Sequence, residues 1–256
     1  MSSREDWPSP APPLVPIPAG RGGPQLIPRP PAAQLGGSAP WAHLPTAQRR
    51  LSVDGVVDAL NNRRPAQTLG HVPAQSRESA VIAVLYEEGG EPHVVLTRRS
   101  PRMRQHAHEI AFPGGRRDPE DESLWHTAVR EAAEEIALDP AAIEHVGELD
   151  SFVTGGSQSL VHPYVAVAHE RPRVHVASPD EVESVRHIAL SELLLDEVWR
   201  EEIWPFSDEL GDRAVTFFEV IGDTIWGATG SMLRQLLAIA TQTESEPGSG
   251  SEQSAR

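Results

Sequence analysis

Between Arg130 and Leu138 the sequence reads REAAEEIAL, with Glu131, Glu134 and Glu135 spaced i, i+3 and i+4. On a helix that spacing projects all three carboxylates from one face, within a few ångströms of one another. Like charges so close repel unless a cation sits among them. Clustered carboxylate oxygens bind hard divalent cations, and Mg²⁺ in particular keeps waters and substrate phosphates beside a few carboxylates. Just upstream stands Phe112-Pro113-Gly114-Gly115, a turn whose glycines let backbone oxygens approach such a cation. A diphosphate substrate would complete the shell of such a cation. Charge alone favours a solvated helix face laced with i, i+4 pairs to Arg130; the Gly-rich turn and the motif pattern together turn the balance to the metal reading.

Composition narrows the alternatives. Cysteine is absent from the 256 residues, so thiolate nucleophiles, disulfides and Cys-ligated zinc are excluded. A formal charge of −15 argues against a protein that grips nucleic acid through a broad basic surface. An anionic substrate then needs locally placed arginines or a metal. The 11 histidines show no HExxH or paired-ligand spacing. No leader pattern and no apolar run of about 18 residues is present, so a cytoplasmic protein without a membrane partner is the expectation.

The elements that must position the cluster follow from periodicity. Half of the 24 prolines fall in residues 1–45, without apolar periodicity, and this segment is expected to be a disordered tail. Residues 46–76 are expected to hold a short amphipathic helix behind Ser52 and a linker, 77–242 the catalytic domain, and 243–256 a second disordered tail. Ser79–Tyr86 and His93–Arg99 read as paired strands about a Gly89-Gly90 turn. A helix is predicted from Glu122 to Ala137, then strands at Val146–Val153, Val161–Ala168, Val185–Ile188 and Ala214–Ile221, with short helices at Leu190–Leu195 and Thr229–Ala240. Without a regular βαβ repeat, an α/β fold with a mixed sheet is favoured.

Arg130 to Leu138, with Glu122 standing seven residues before Arg130, resembles the box of the Nudix hydrolases. Six residues rather than five separate Gly115 from Glu122, and Ala137 stands where Gly is usual. The longer spacing, and Leu96, Thr97, Arg99, Ser100, Arg104 and Phe112 to Gly115 upstream, resemble the coenzyme A diphosphatase branch, with His108 at a position where Gly is expected. The resemblance implies a Nudix-type α/β/α sandwich and a Mg²⁺- or Mn²⁺-dependent diphosphatase acting on a small nucleotide diphosphate, with CoA or acyl-CoA foremost. ADP-ribose or dinucleotide polyphosphates are the alternative substrates, and a non-catalytic nucleotide sensor is the alternative from another class. Glu131, Glu134 and Glu135 become metal ligands, and Glu131, Glu134 and Arg130 the catalytic set. Arg99, Arg104, Gly114 and Gly115 become the substrate contacts, and Glu181 a candidate base from a later loop. The resemblance also implies a homodimer, which no individual residue dictates.

Overall fold

The computed structural model describes residues 12–154, 159–206 and 211–244. Its strands are β1 (Gln34–Leu35), β2 (Thr68–Leu69), β3 (Arg77–Glu88), β4 (Glu91–Arg99), β5 (Ile110–Ala111), β6 (Gly114–Arg116), β7 (Ile143–Glu148), β8 (Ser151–Val153), β9 (Ser159–Ala168), β10 (Val182–Ala189), β11 (Trp199–Pro205), β12 (Asp212–Val220) and β13 (Asp223–Trp226). The helices are α1 (Val53–Asn62), α2 (Leu124–Ile136), α3 (Leu190–Leu193) and α4 (Gly227–Ala240).

β3 explains the layering. Successive strand side chains point to opposite faces. Ala80, Ile82, Val84 and Tyr86 pack with Ala128, Val129, Ala132 and Ile136 of α2, while Ala83 and Leu85 share a core with Val56 and Leu60 of α1 and Leu233, Leu236 and Leu237 of α4. A strand covered on both faces must be apolar at nearly every position, as this one is. β3 runs parallel to β9 and antiparallel to β4 and β6, at the heart of a nine-stranded mixed sheet ordered β10-β4-β3-β9-β8-β2, with β5, β6 and β7 joined at its sides. This is the expected α/β/α sandwich. No helix among the described residues is long and apolar enough to cross a membrane.

Two expectations are corrected here. The strand foreseen over Val146–Val153 is two strands, broken at Leu149-Asp150. The Asp150 carboxylate turns inward to Arg63, Arg64 and Gln235 and accepts the Gln67 N–H at 2.9 Å, a set of partners incompatible with a continuous ladder. A second sheet, ordered β1-β11-β12-β13, also went unforeseen in part. In β11 the inward positions are Arg200, Glu202 and Trp204, so the alternation that marks a half-buried strand is written in charged residues. They are paired: Glu202, fully buried, accepts Arg29 Nε at 2.6 Å and Trp204 Nε1 at 2.7 Å and meets Arg200.

The boundary placed at residue 45 also shifts. Residues 12–45 pack on the domain instead of trailing from it; residues 1–11 and 245–256 of the expected tails lie outside the described residues. Trp41 is fully buried against Phe218, with ring centroids 6.4 Å apart, and Arg29 joins the Glu202 cluster. Gln25, itself buried, donates to Asp223 at 2.8 Å and to the His108 carbonyl at 2.9 Å, and accepts from Thr224 N–H at 2.9 Å. These anchors are few, aperiodic and far away in sequence, so no local pattern announces them. Gln25→Ala strands buried donors and acceptors and is expected to cost about 1–3 kcal/mol, read as a lower urea midpoint at unchanged slope. An unchanged midpoint would contradict the packed position of this segment.

Candidate active site

α2 begins where Ser123 caps it, its hydroxyl accepting the His126 N–H at 3.1 Å. Glu122 stands exposed one residue earlier. The helix ends at Ala137, held left-handed at φ 54° with its N–H on the Ala132 and Ala133 carbonyls. The αL conformation costs a non-glycine residue about 1–2 kcal/mol, partly offset by the chain entropy a glycine would add. Ala137→Gly is expected to raise stability by about 0.5–1 kcal/mol, seen as a higher Tm. His108 likewise sits at φ 62°, at the position where the resemblance expects Gly.

The helix lays Glu131 and Glu135 over the β6 turn. At Gly115 a Cβ would come within 2.5 Å of the Glu131 carboxylate, and at Gly114, with φ 144°, within 2.3 Å of the Ala80 carbonyl. Gly114 therefore requires glycine against the neighbouring strand, whereas a side chain at Gly115 would displace the Glu131 carboxylate from the turn. The Gly114 N–H donates to Glu135 Oε2 at 3.3 Å. Glu135 is 4% exposed, and burial pushes its carboxyl up to about 8 against the opposing pull of the Gly114 N–H and Arg99, with Glu131 and Glu181 adding repulsion. Burial also raises Glu131, while Arg130 pulls it down and Glu134 and Glu181 push it up.

Glu134 departs from the expected trio. It lies 60% exposed and pairs with Arg130 at 3.2 Å, because i+3 from Glu131 falls farther round the helix than i+4 and the Arg130 pair draws it outward. Among the described residues no three acidic or histidine side chains converge tightly enough to enclose a metal. The donor chemistry nevertheless fits a hard divalent cation: Glu131, Glu135 and the nearby, exposed Glu181 are oxygen donors that repel one another.

Arg130 organises this face. Its guanidinium donates to both oxygens of Asp121, at 2.9 and 3.0 Å, and reaches Glu131 at 3.1 Å and the Arg116 carbonyl at 3.2 Å. It works as a clamp on the carboxylates and the turn. Asp121 is buried, and its hydrogen bonds with Arg130 hold its carboxyl well below the usual range. Asp121 was missed from sequence; its only signal is a carboxylate at the helix entrance.

Of the expected substrate contacts, Arg99 is brought to the cluster, close enough to oppose the rise at Glu135. Its Nε is buried with no hydrogen-bond partner, and Nη2 lies 2.8 Å from Met103 Sδ. Arg104 stands exposed in the segment between β4 and β5. Thr97 serves structure, its hydroxyl donating to the Ala111 carbonyl at 3.2 Å and tying β4 to the strand before the Gly turn.

Comparison with known proteins identifies the family. The NUDIX domain model matches residues 76–210. An uncharacterized Nudix hydrolase, NudL, of Klebsiella pneumoniae is 35% identical over 193 residues, covering 74% of this chain and 95% of that protein. The chloroplastic Nudix hydrolase 22 of Arabidopsis thaliana is 33% identical over 185 residues; 69% of this chain aligns, spanning 59% of the plant protein's length. A crystal structure of a Nudix hydrolase from M. smegmatis overlaps 46% of this chain and 73% of its own at 23% identity and a TM-score of 0.38. With more than half of its length matched by the domain model, and nearly all of the bacterial relative covered, the chain belongs to the NUDIX family.

Proposed function

We propose that the chain hydrolyses a diphosphate bond in a nucleotide derivative, with coenzyme A or an acyl-CoA as substrate and 3′,5′-ADP and (acyl-)phosphopantetheine as products. The observation that carries this reading is the seating of Glu131 and Glu135 over the Gly114-Gly115 turn beside the half-buried Arg99. Glu131 and Glu135, with Glu181, are the residues that would hold Mg²⁺ or Mn²⁺, and Glu134 extends the acidic face toward solvent. A bound cation would supply charge neutralisation at phosphorus and a more acidic water. Arg99 offers a planar fork to a phosphate oxygen, and Arg130 keeps Glu131 against the turn. In the reaction water adds to one phosphorus, the bridging P–O bond breaks, and a proton is released to a carboxylate of the cluster. The CoA assignment draws support from the Leu96 to Arg104 residues, which lead directly into the turn.

The test is hydrolysis of CoA, acetyl-CoA, ADP-ribose and a diadenosine polyphosphate with Mg²⁺ or Mn²⁺, products resolved by mass. Release of 3′,5′-ADP from CoA is the expected result. Turnover of ADP-ribose or the dinucleotide without CoA would move the substrate assignment, and metal-dependent binding without turnover would make the chain a sensor.

A further inference from the structure

The end of β4 is flanked by an irregularity on each side. On one side Arg98 pairs with Ile110 of β5. The next residue, Arg99, donates its N–H to the Glu109 carbonyl at 2.9 Å, and its own carbonyl accepts the His108 N–H at 3.1 Å. Two residues therefore oppose one, with His108 left-handed at φ 62°, which is a β-bulge of the kind that takes glycine at its first position. On the other side Val182 of β10 pairs with Arg99 and Ser184 with Arg98, so Glu183 is the extra residue. The side chains of these two bulge residues meet: His108 Nδ1 lies 3.0 Å from Glu183 Oε2. A carboxylate only accepts, so Nδ1 carries the proton.

This link crosses the face of β4 that is turned away from the carboxylate cluster. Val94 and Leu96 belong to the core shared with α4, and Val95 to the core under α2; alternation then sends Arg98 to the first face and Arg99 to the second. Arg98 reaches Asp223 at 2.8 Å and Glu183 at 3.7 Å. Arg99 reaches the cluster, where its charge acts on Glu135. His108 and Glu183 form, with Arg98 between them, a staple across the back of the strand end, and the buried Gln25 holds the His108 carbonyl at 2.9 Å. Glycine adopts a φ of this sign freely, whereas a side chain is strained there. What the imidazole adds to the turn is its hold on Glu183, and bulges beside a site serve to re-aim a side chain.

We infer that His108 is a positioning residue: pinned to Glu183 across the back of β4, it fixes the direction in which Arg99 presents its guanidinium to the diphosphate of the substrate. This rests on the proposed diphosphatase reading for the identity of the substrate, while the effect on binding is measurable without turnover. The experiment is calorimetric titration of α,β-methylene-ADP, a diphosphate that resists cleavage, into the full chain with Mg²⁺, with kcat and KM on CoA measured in parallel. The variants are His108→Gly, His108→Asn, Glu183→Ala, Arg99→Ala and the combination of Arg99→Ala with His108→Gly. His108→Gly is expected to raise Kd and KM about fivefold, the scale of a partly exposed pair, with kcat within about twofold of wild type. Its urea midpoint should stay close to that of wild type, since relief of the left-handed strain offsets the added freedom of the unfolded chain. His108→Asn should restore both constants, because asparagine tolerates the left-handed conformation and carries an N–H donor at the same remove from the backbone as histidine Nδ1. Glu183→Ala should match the glycine variant, and on the Arg99→Ala background His108→Gly should change nothing further.

Unchanged affinity in His108→Gly overturns the inference, and His108 is then a turn residue and no more. A loss that His108→Asn fails to restore, or one that persists in full on the Arg99→Ala background, overturns it as well, as does absence of binding by wild type. Absence of CoA turnover by wild type, with the binding differences among the variants intact, would remove the diphosphatase reading and leave the positioning role standing.

Discussion

Glu135→Gln is expected to lower kcat on the diphosphate substrate by roughly 10³-fold, the several kcal/mol that a properly held cation supplies at phosphorus. The replacement keeps the shape of the side chain and an oxygen for the Gly114 N–H, so the loss reports charge. Stability should move the other way. The Glu135 carboxyl is raised to about 8 from an ordinary value of about 4.3. A raised value means that the folded state favours the protonated form. The contribution of this group is fully present below about pH 4 and is lost as pH rises through about 8. With metal chelated, the variant should therefore melt above wild type at alkaline pH and alongside it near the ordinary carboxylate value. Melting curves across that range decide it; a variant less stable than wild type at alkaline pH would mean that the buried carboxylate is already neutralised within the fold.

Asp121→Ala removes the anchor of Arg130. The Asp121 side chain is 2% exposed and takes Arg130 through both oxygens, the Thr127 hydroxyl at 2.9 Å and the Asp118 N–H at 2.9 Å. Breaking a buried pair from one side costs about 3–5 kcal/mol. Arg130 then no longer holds Glu131 against Gly115, so kcat should also fall by about 10- to 100-fold, the usual effect of losing a partner that orients a ligand. Because the folded carboxyl is held below its ordinary value, its stabilisation is present above about pH 3.9 and is lost as pH falls below it. The stability gap between wild type and variant should close in acid. Denaturant midpoints with parallel kinetics check both halves, and full activity in the variant would show that Arg130 orients Glu131 without Asp121.

Much of this was legible in the chain because it is local. The i, i+4 relation of Glu131 and Glu135 follows from helix geometry, and the Gly114-Gly115 turn announces a backbone that must come close to something. The doubly covered β3 was readable because burial on two faces leaves an unbroken apolar run. Where local chemistry serves tertiary contacts, the reading failed. The buried ion pairs of Arg200 and Glu202 hid β11, and a proline-rich stretch concealed Trp41, Gln25 and Arg29 as anchors to β12, β13 and β11.

Residue types and their spacing were enough to establish the chemistry on offer, acidic oxygens beside a glycine turn, and the family, since both are properties of a few adjacent positions. Which carboxylates face inward and what restrains Arg130 depend on chain segments meeting in the folded domain. Spacing along one helix cannot show that Glu134 is drawn to solvent while Glu135 is buried against β6. Those outcomes arise from the burial and strand pairing of the whole domain.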